Sequence, residues 1–357
     1  MKTTNLILAI LCLSLYLSCE NDTTTLNSNS NETTLNNSSA LESNRNSERR
    51  RGKYKGTLPK SDFDFEANTI TMNVNGDQFP VVDTGEGPVV LLLHGWPDSK
   101  EMWRYQIPFL VNAGYRVIAP DLRGFGDAPK TENIAAYGLA SLMGDVITIL
   151  DNLEIDKVNL IAHDWGAALG WTMARFAQDR VNSFISIAIG APGNPGYDTL
   201  EQRRHAWYFY LFAQPQEGLA EYELSNNDWA LFRDLVFHPD EDNVINSLSE
   251  PDALSSSMRI YKANLQHLLA GCSSEPFEDP FEVEFPLVKA PTLGLLGEFD
   301  FAALEPMMSY SIDHVVAGNF EYKYLNDLGH WMMLENPKKI NKLIKNFLDC
   351  NVLSNCD

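Results

Sequence analysis

Basic charge, cysteine and long apolar runs are all scarce in this 357-residue chain, and each shortage closes off a class of function. Lys and Arg number 27 against 48 Asp and Glu, a formal net charge of −21. A chain of that sign is expected to take neither nucleic acid nor an anionic membrane as a partner. Five cysteines occur, and none has the spacing of a metal site. Cys12 and Cys19 fall at the N-terminus and Cys272 stands apart. Cys350 and Cys356 lie close enough in sequence to pair in an oxidising compartment. The apolar stretch at residues 6–17 is too short to span a bilayer as a mature helix. What is plentiful is apolar residues, 44% of the chain, enough for a sizeable core.

The first 19 residues have the layout of an export signal: Lys2, the apolar stretch, then Ser18 and Cys19. Leu17-Ser18-Cys19 resembles the end of a bacterial lipoprotein signal, although Tyr16 stands where that pattern usually has Leu. The resemblance implies a lipid anchor at Cys19, with plain secretion as the other reading. Either way the chain is expected to be exported, to the periplasm, to a membrane surface or beyond it. Residues 20–52 read as a disordered tether, because 19 of the 29 residues from Glu20 to Glu48 are Asn, Ser or Thr. As a random coil it would reach roughly 30 Å.

Beyond the tether, apolar strands alternate with helical patterns. Residues 69–74 and 78–83 read as strands joined by the hairpin signal Asn75-Gly76. The continuous apolar run at 88–93 reads as a strand buried on both faces, and 115–120, 158–162 and 181–189 read as further strands. Helices are expected at 102–113, 139–153 and 167–178. Such alternation predicts a parallel, doubly wound α/β sheet. It breaks at 192–286, an aromatic, acidic and helical segment, and resumes with strands at 291–296 and 320–325 and a closing helix at 337–348. The core is therefore expected at 53–191 and 287–357, with 192–286 inserted as a helical cap.

Three candidate residues stand just past strand ends, in the order Asp164, Asp300, His330. Open parallel sheets gather their sites at that edge. Asp164 sits in Ala162-His163-Asp164-Trp165-Gly166, a strand–turn–helix outline that projects its side chain as a nucleophile. A carboxylate suits displacement at saturated carbon, since the product is an alkyl ester that water can cleave, whereas attack on an ester would give a reactive anhydride. An Asp capping the following helix is the plainer alternative.

His94-Gly95-Trp96-Pro97, the loop 121–126, His163-Asp164-Trp165-Gly166, Asp300 and Gly329-His330-Trp331 together resemble the α/β-hydrolase epoxide hydrolases, over about residues 65–350. The resemblance implies an α/β-hydrolase fold with a mostly parallel eight-stranded sheet and a helical cap. It implies Asp164 as nucleophile, Asp300 and His330 as acid and base, and two cap tyrosines that hold the epoxide oxygen. Tyr208-Phe209-Tyr210-Leu211-Phe212-Ala213-Gln214-Pro215 resembles the family's first tyrosine segment with Ala213 as a departure, so Tyr208 is the candidate and Tyr210 the fallback. Ile260-Tyr261-Lys262 occupies the place of the second, which makes Tyr261 its candidate. By the same resemblance the backbone N–H groups of Trp96 and Trp165 form an oxyanion hole. Trp96, Trp165 and Phe212 wall the pocket, the substrate is a small apolar epoxide with water, and neither metal nor organic cofactor is required. His94, His163, Asp121 and Arg123 read as loop-fixing and Asp145 as helix surface, while Trp103, Trp171 and Trp207 read as packing or pocket wall. Haloalkane dehalogenase, which shares two of the motifs, and a non-enzymatic binding protein on this scaffold remain as rivals.

Overall fold

The computed structural model describes residues 58–216, 218–265 and 285–352. The export signal, Cys19, the tether, Cys272 and Cys356 lie outside them, and with them the lipid anchor and the Cys350–Cys356 pair.

Eight strands form one sheet in the order β1-β2-β4-β3-β5-β6-β7-β8. They are β1 (Thr69–Val74), β2 (Asp77–Thr84), β3 (Val89–Leu93), β4 (Arg116–Pro120), β5 (Val158–His163), β6 (Val181–Ile187), β7 (Thr292–Phe299) and β8 (Phe320–Gly329). Pairing is parallel from β4 to β8 and antiparallel for β1 with β2 and β2 with β4. The Asn75-Gly76 turn that joins β1 to β2 has both residues at positive φ, 55° and 99°, the conformation a two-residue hairpin needs. In β3 and β5 nearly every residue is buried, as sheets covered on both faces require. The helices Leu139–Asn152 and Trp165–Phe176 pack on the sheet and on each other.

Three boundaries differ from expectation for identifiable reasons. The helix expected at 102–113 is a 3₁₀ turn, Lys100–Trp103, capped by the Ser99 hydroxyl, followed by a separate helix, Gln106–Asn112. Pro108 lacks an N–H and is accommodated in a first turn, where that donor would have no helical partner. β6 stops at Ile187 because Ala188 turns to φ 71°. The helix expected from Ala167 starts at Trp165, directly on the Asp164 turn.

Between β6 and β7 the described chain is helical: Leu200–His205, Tyr208–Phe212, Leu219–Val236 with a break at Asn226–Trp229, Glu241–Leu248 and Ala253–Asn264. These cap helices reach the core at fixed points. Gln202 donates to the Ala302 carbonyl (2.7 Å) and accepts from the Leu304 N–H (2.9 Å), gripping the loop after β7. Asn264 takes up the Tyr137 carbonyl and the Leu139 N–H at the start of the helix Leu139–Asn152. Among the described residues no helix is long and apolar enough to cross a membrane.

Candidate active site

Asp164 ends β5 at φ 51° and ψ −122°, backbone that an L-residue adopts only under constraint. The constraint is close packing. A Cβ added to Gly166 would lie 2.7 Å from the Leu93 carbonyl carbon, and one added to Gly95 would lie 2.5 Å from Asp164 Oδ1. Glycine at both positions lets the loop after β3 press against the turn after β5. The Trp96 N–H donates to Asp164 Oδ1 at 2.9 Å, and the Trp165 N–H also stabilises the carboxylate. With Oδ1 so engaged, Oδ2 is the free oxygen, and it faces His330 Nε2 at 3.6 Å.

His330 follows β8, and its Nδ1 donates to both oxygens of Asp300 at 2.9 Å. The Ala302 and Ala303 N–H groups hold Asp300 Oδ1 at 2.8 and 3.0 Å. All three side chains are buried. Burial pushes the His330 pKa down, but the adjacent Asp300 and Asp164 carboxylates override it and raise it to about 10. Burial alone would raise the Asp164 pKa; the His330 contact outweighs that and keeps it below the usual value, so the carboxylate is ionised.

The structure brings Tyr208 and Tyr261 into the same buried cluster. Both pKa values are raised well above the usual tyrosine value, first by burial and then by the Asp164 charge, so both hydroxyls carry their protons. Tyr261 packs edge-on against Trp165 (5.0 Å between centroids), Trp96 (5.7 Å) and Phe212 (5.0 Å). Tyr210 is 44% exposed and lies outside the cluster, whereas Tyr208 is 1% exposed. Trp96, Trp165 and Phe212 are buried around the tyrosines.

The loop-fixing residues sit where expected. His94 Nε2 accepts from the Leu122 N–H (2.9 Å), so its Nδ1–H is left to the Gly95 carbonyl (3.0 Å), and both lone pair and proton are spent on structure. His163 donates to the His330 carbonyl (3.1 Å), and burial lowers its pKa to about 4. Asp121 binds the Lys100 ammonium (2.7 Å) and backbone N–H (2.8 Å). One expectation needs correction. Asp145 is a buried partner of Arg123, through bonds of 2.8 and 2.9 Å, and not helix surface. Trp207 is 47% exposed with its ring edge-on to Tyr208 at 6.5 Å, whereas Trp103 and Trp171 are fully buried packing.

Sequence reasoning missed three residues beside the site. Phe301 lies against Tyr208 (5.7 Å) and His330 (4.9 Å), next in sequence to Asp300. Asp98 and His238 meet behind Trp331. Asp98 directly follows His94-Gly95-Trp96-Pro97, a signal that was available; nothing in the sequence around His238 points to it.

This sheet order, the turn at Asp164 and the Asp–His–Asp grouping at the strand ends define a class. The profile of the alpha/beta hydrolase fold family matches residues 88–337, and the chain belongs to that family. Among similar proteins, Epoxide hydrolase 3 of Siraitia grosvenorii is 39% identical over 164 residues, 45% of this chain and 52% of that protein. The chain thus spans about half the length of that relative. Epoxide hydrolase 1 of the same organism is 29% identical over 311 residues, covering 78% of this chain and 97% of that protein. The crystal structure of Epoxide Hydrolase A from Mycobacterium thermoresistibile superimposes with a TM-score of 0.62 at 25% identity, over 78% of this chain and 97% of that one.

Proposed function

We propose that this chain hydrolyses epoxides to vicinal diols through a covalent ester on Asp164. The observation that carries the reading is the meeting of two buried, protonated tyrosines from the cap helices with an ionised Asp164 backed by His330 and Asp300.

Tyr208 and Tyr261 donate hydrogen bonds to the epoxide oxygen, and one of them gives up its proton as the ring opens. Asp164 Oδ2 attacks a ring carbon from the opposite side: an O–C bond forms, the epoxide C–O bond breaks, and the electron pair leaves on the oxygen that takes the proton. The ester has no charge. One of the two carboxylates that held His330 protonated is thereby lost, and its pKa falls toward the range of a base. His330 gives its proton up to the tyrosinate, which restores the phenol, and the neutral imidazole then removes a proton from water, whose oxygen attacks Asp164 Cγ. Negative charge develops on Oδ1, which already accepts the Trp96 N–H, with the Trp165 N–H as the second donor to the group. Collapse expels the diol with Oδ2 as one of its oxygens, and His330 returns the proton.

The apolar wall of Trp96, Trp165, Phe212 and Tyr261 suits an apolar epoxide, and no step calls for a metal or organic cofactor. The signal-like start of the chain supports export, with Cys19 as a lipid anchor; fractionation and mass analysis of the mature N-terminus test that.

A paired assay tests the function. Aryl and alkyl epoxides are followed for diol and short haloalkanes for halide. Diol release with no halide is the expected result. Halide without diol would move the reading to haloalkane dehalogenase, and neither, from folded protein, would favour a binding protein.

A further inference from the structure

Asp98 is a buried carboxylate that the proposed chemistry leaves unused. It closes the turn that carries the Trp96 N–H, its own N–H donating to the Gly95 carbonyl at 3.0 Å. Its side chain points the other way. Oδ2 accepts the indole N–H of Trp331 at 2.7 Å, and Oδ1 faces His238 Nε2 at 3.2 Å. His238 belongs to the stretch that ends one cap helix. Its Nδ1 accepts the Asp240 N–H at 2.9 Å, which leaves the proton on Nε2, where it serves Asp98. Asp240 in turn pairs with Arg104 of the core at 2.6 Å. Asp98 is 8% exposed, His238 4% and Trp331 1%. Burial pushes the Asp98 pKa up, and His238 with the Trp331 N–H more than reverses it, so the carboxylate stays charged.

Trp331 is the residue after His330, and its ring fills the space behind the base. It lies edge-on to His330 (4.7 Å between centroids) and His238 (4.3 Å), and stacks on Phe301 (5.5 Å, 12° between planes). Phe301 itself abuts His330 and follows Asp300. The indole is thus clamped on one side by the loop carrying the acid and on its polar edge by Asp98. Without Asp98 the buried indole N–H has no partner, a penalty that favours turning the ring.

We propose that Asp98 is a positioning residue for His330, acting through the Trp331 indole, and that His238 ties this clamp to the seating of the cap. The proposal rests on His330 being the base of ester hydrolysis. It makes Asp98 matter to the second half-reaction more than to the first, because its side chain bonds to Trp331 and His238 and to neither Asp164 nor the tyrosines. A shift of about 1 Å in a catalytic group costs as much as a hundredfold in rate, and a tilt of His330 falls within that scale.

The test is single-turnover kinetics with styrene oxide on full-length protein, resolving ester formation from ester hydrolysis, for wild type, Asp98→Ala, Trp331→Phe and the double variant. Both single variants are expected to form the ester within about twofold of wild type and to hydrolyse it about tenfold more slowly. The ester on Asp164 should then accumulate in the intact mass. Because the two changes break one contact, the double variant should be no slower than the slower single one. Trp331→Phe keeps a ring in place, so it reports on the contact even where Asp98→Ala lowers expression. Equal slowing of both half-reactions, or multiplied effects in the double variant, would overturn the proposal and assign Asp98 a purely structural role. Unchanged hydrolysis in both single variants would also overturn it. Absence of any ester in wild type and in His330→Gln would instead reject the epoxide reading and the proposal with it.

Discussion

Replacing Gly95 by alanine is the sharpest perturbation that leaves every named catalytic side chain in place. The new Cβ would lie 2.5 Å from Asp164 Oδ1 and 2.8 Å from its Cγ, well inside contact distance. Neither side can yield cheaply: Asp164 is fixed by the φ 51° turn, and the Gly95 backbone by the Asp98 N–H and the His94 ring. Relief requires a displacement of about 1 Å between the two loops, which breaks the 2.9 Å bond from the Trp96 N–H to Oδ1. Loss of one oxyanion-hole donor costs about 3 kcal/mol, so kcat for epoxide hydrolysis is expected to fall about a hundredfold or more. Overpacking adds a destabilisation of about 1–3 kcal/mol, visible as a lower Tm in a variant that still folds. The assay is diol formation under saturating substrate, with circular dichroism to establish the fold. Retention of activity within threefold in a folded Gly95→Ala protein would refute the claim that the loop after β3 supplies the oxyanion donor.

Two further predictions address the tyrosines and the buried histidine. Tyr208→Phe and Tyr261→Phe should each slow ester formation by about 10–100-fold while leaving hydrolysis of preformed ester unchanged, as stopped-flow single turnovers will show. Slowing confined to hydrolysis would place the hydroxyls elsewhere in the reaction. His163, with its pKa lowered to about 4 by burial, is neutral in the folded protein but takes up a proton in the unfolded chain below about pH 6.5. Stability should therefore fall as pH drops from 6.5 to 4, by up to about 3 kcal/mol from this residue, with the losses from Asp98 and Asp164 following only below the usual carboxylate range. Urea unfolding across that range should show the slope, and His163→Gln should flatten it; an unaltered slope would rule His163 out as its source.

What the sequence disclosed follows a physical division. Elements whose pattern is continuous were legible: β3 and β5 as runs of apolar residues, and the Asn75-Gly76 hairpin through its need for positive φ. The grouping of Asp164, Asp300 and His330 was legible because a parallel sheet delivers all its strand ends to one edge, so chain order alone places them together. The choice between Tyr208 and Tyr210 was not, because it depends on which helix face is buried. Tyr208 and Phe212, four residues apart, share the inner face, and Tyr210 falls outside it. Asp145 was misread because its partners are distant: Arg123 is 22 residues away, and Arg123 also binds Asp77, 46 residues from it. The Asp98–His238 contact spans 140 residues, and local sequence carries no trace of such a pairing.

The central claim, a covalent ester at Asp164 released by His330, is tested most directly by intact-mass measurement of His330→Gln exposed to an epoxide. A stable mass gain equal to one epoxide is expected, mapped by proteolysis to the peptide carrying Asp164 and absent from Asp164→Asn. A variant that shows no adduct, or one that still turns over diol at the wild-type rate, would contradict it.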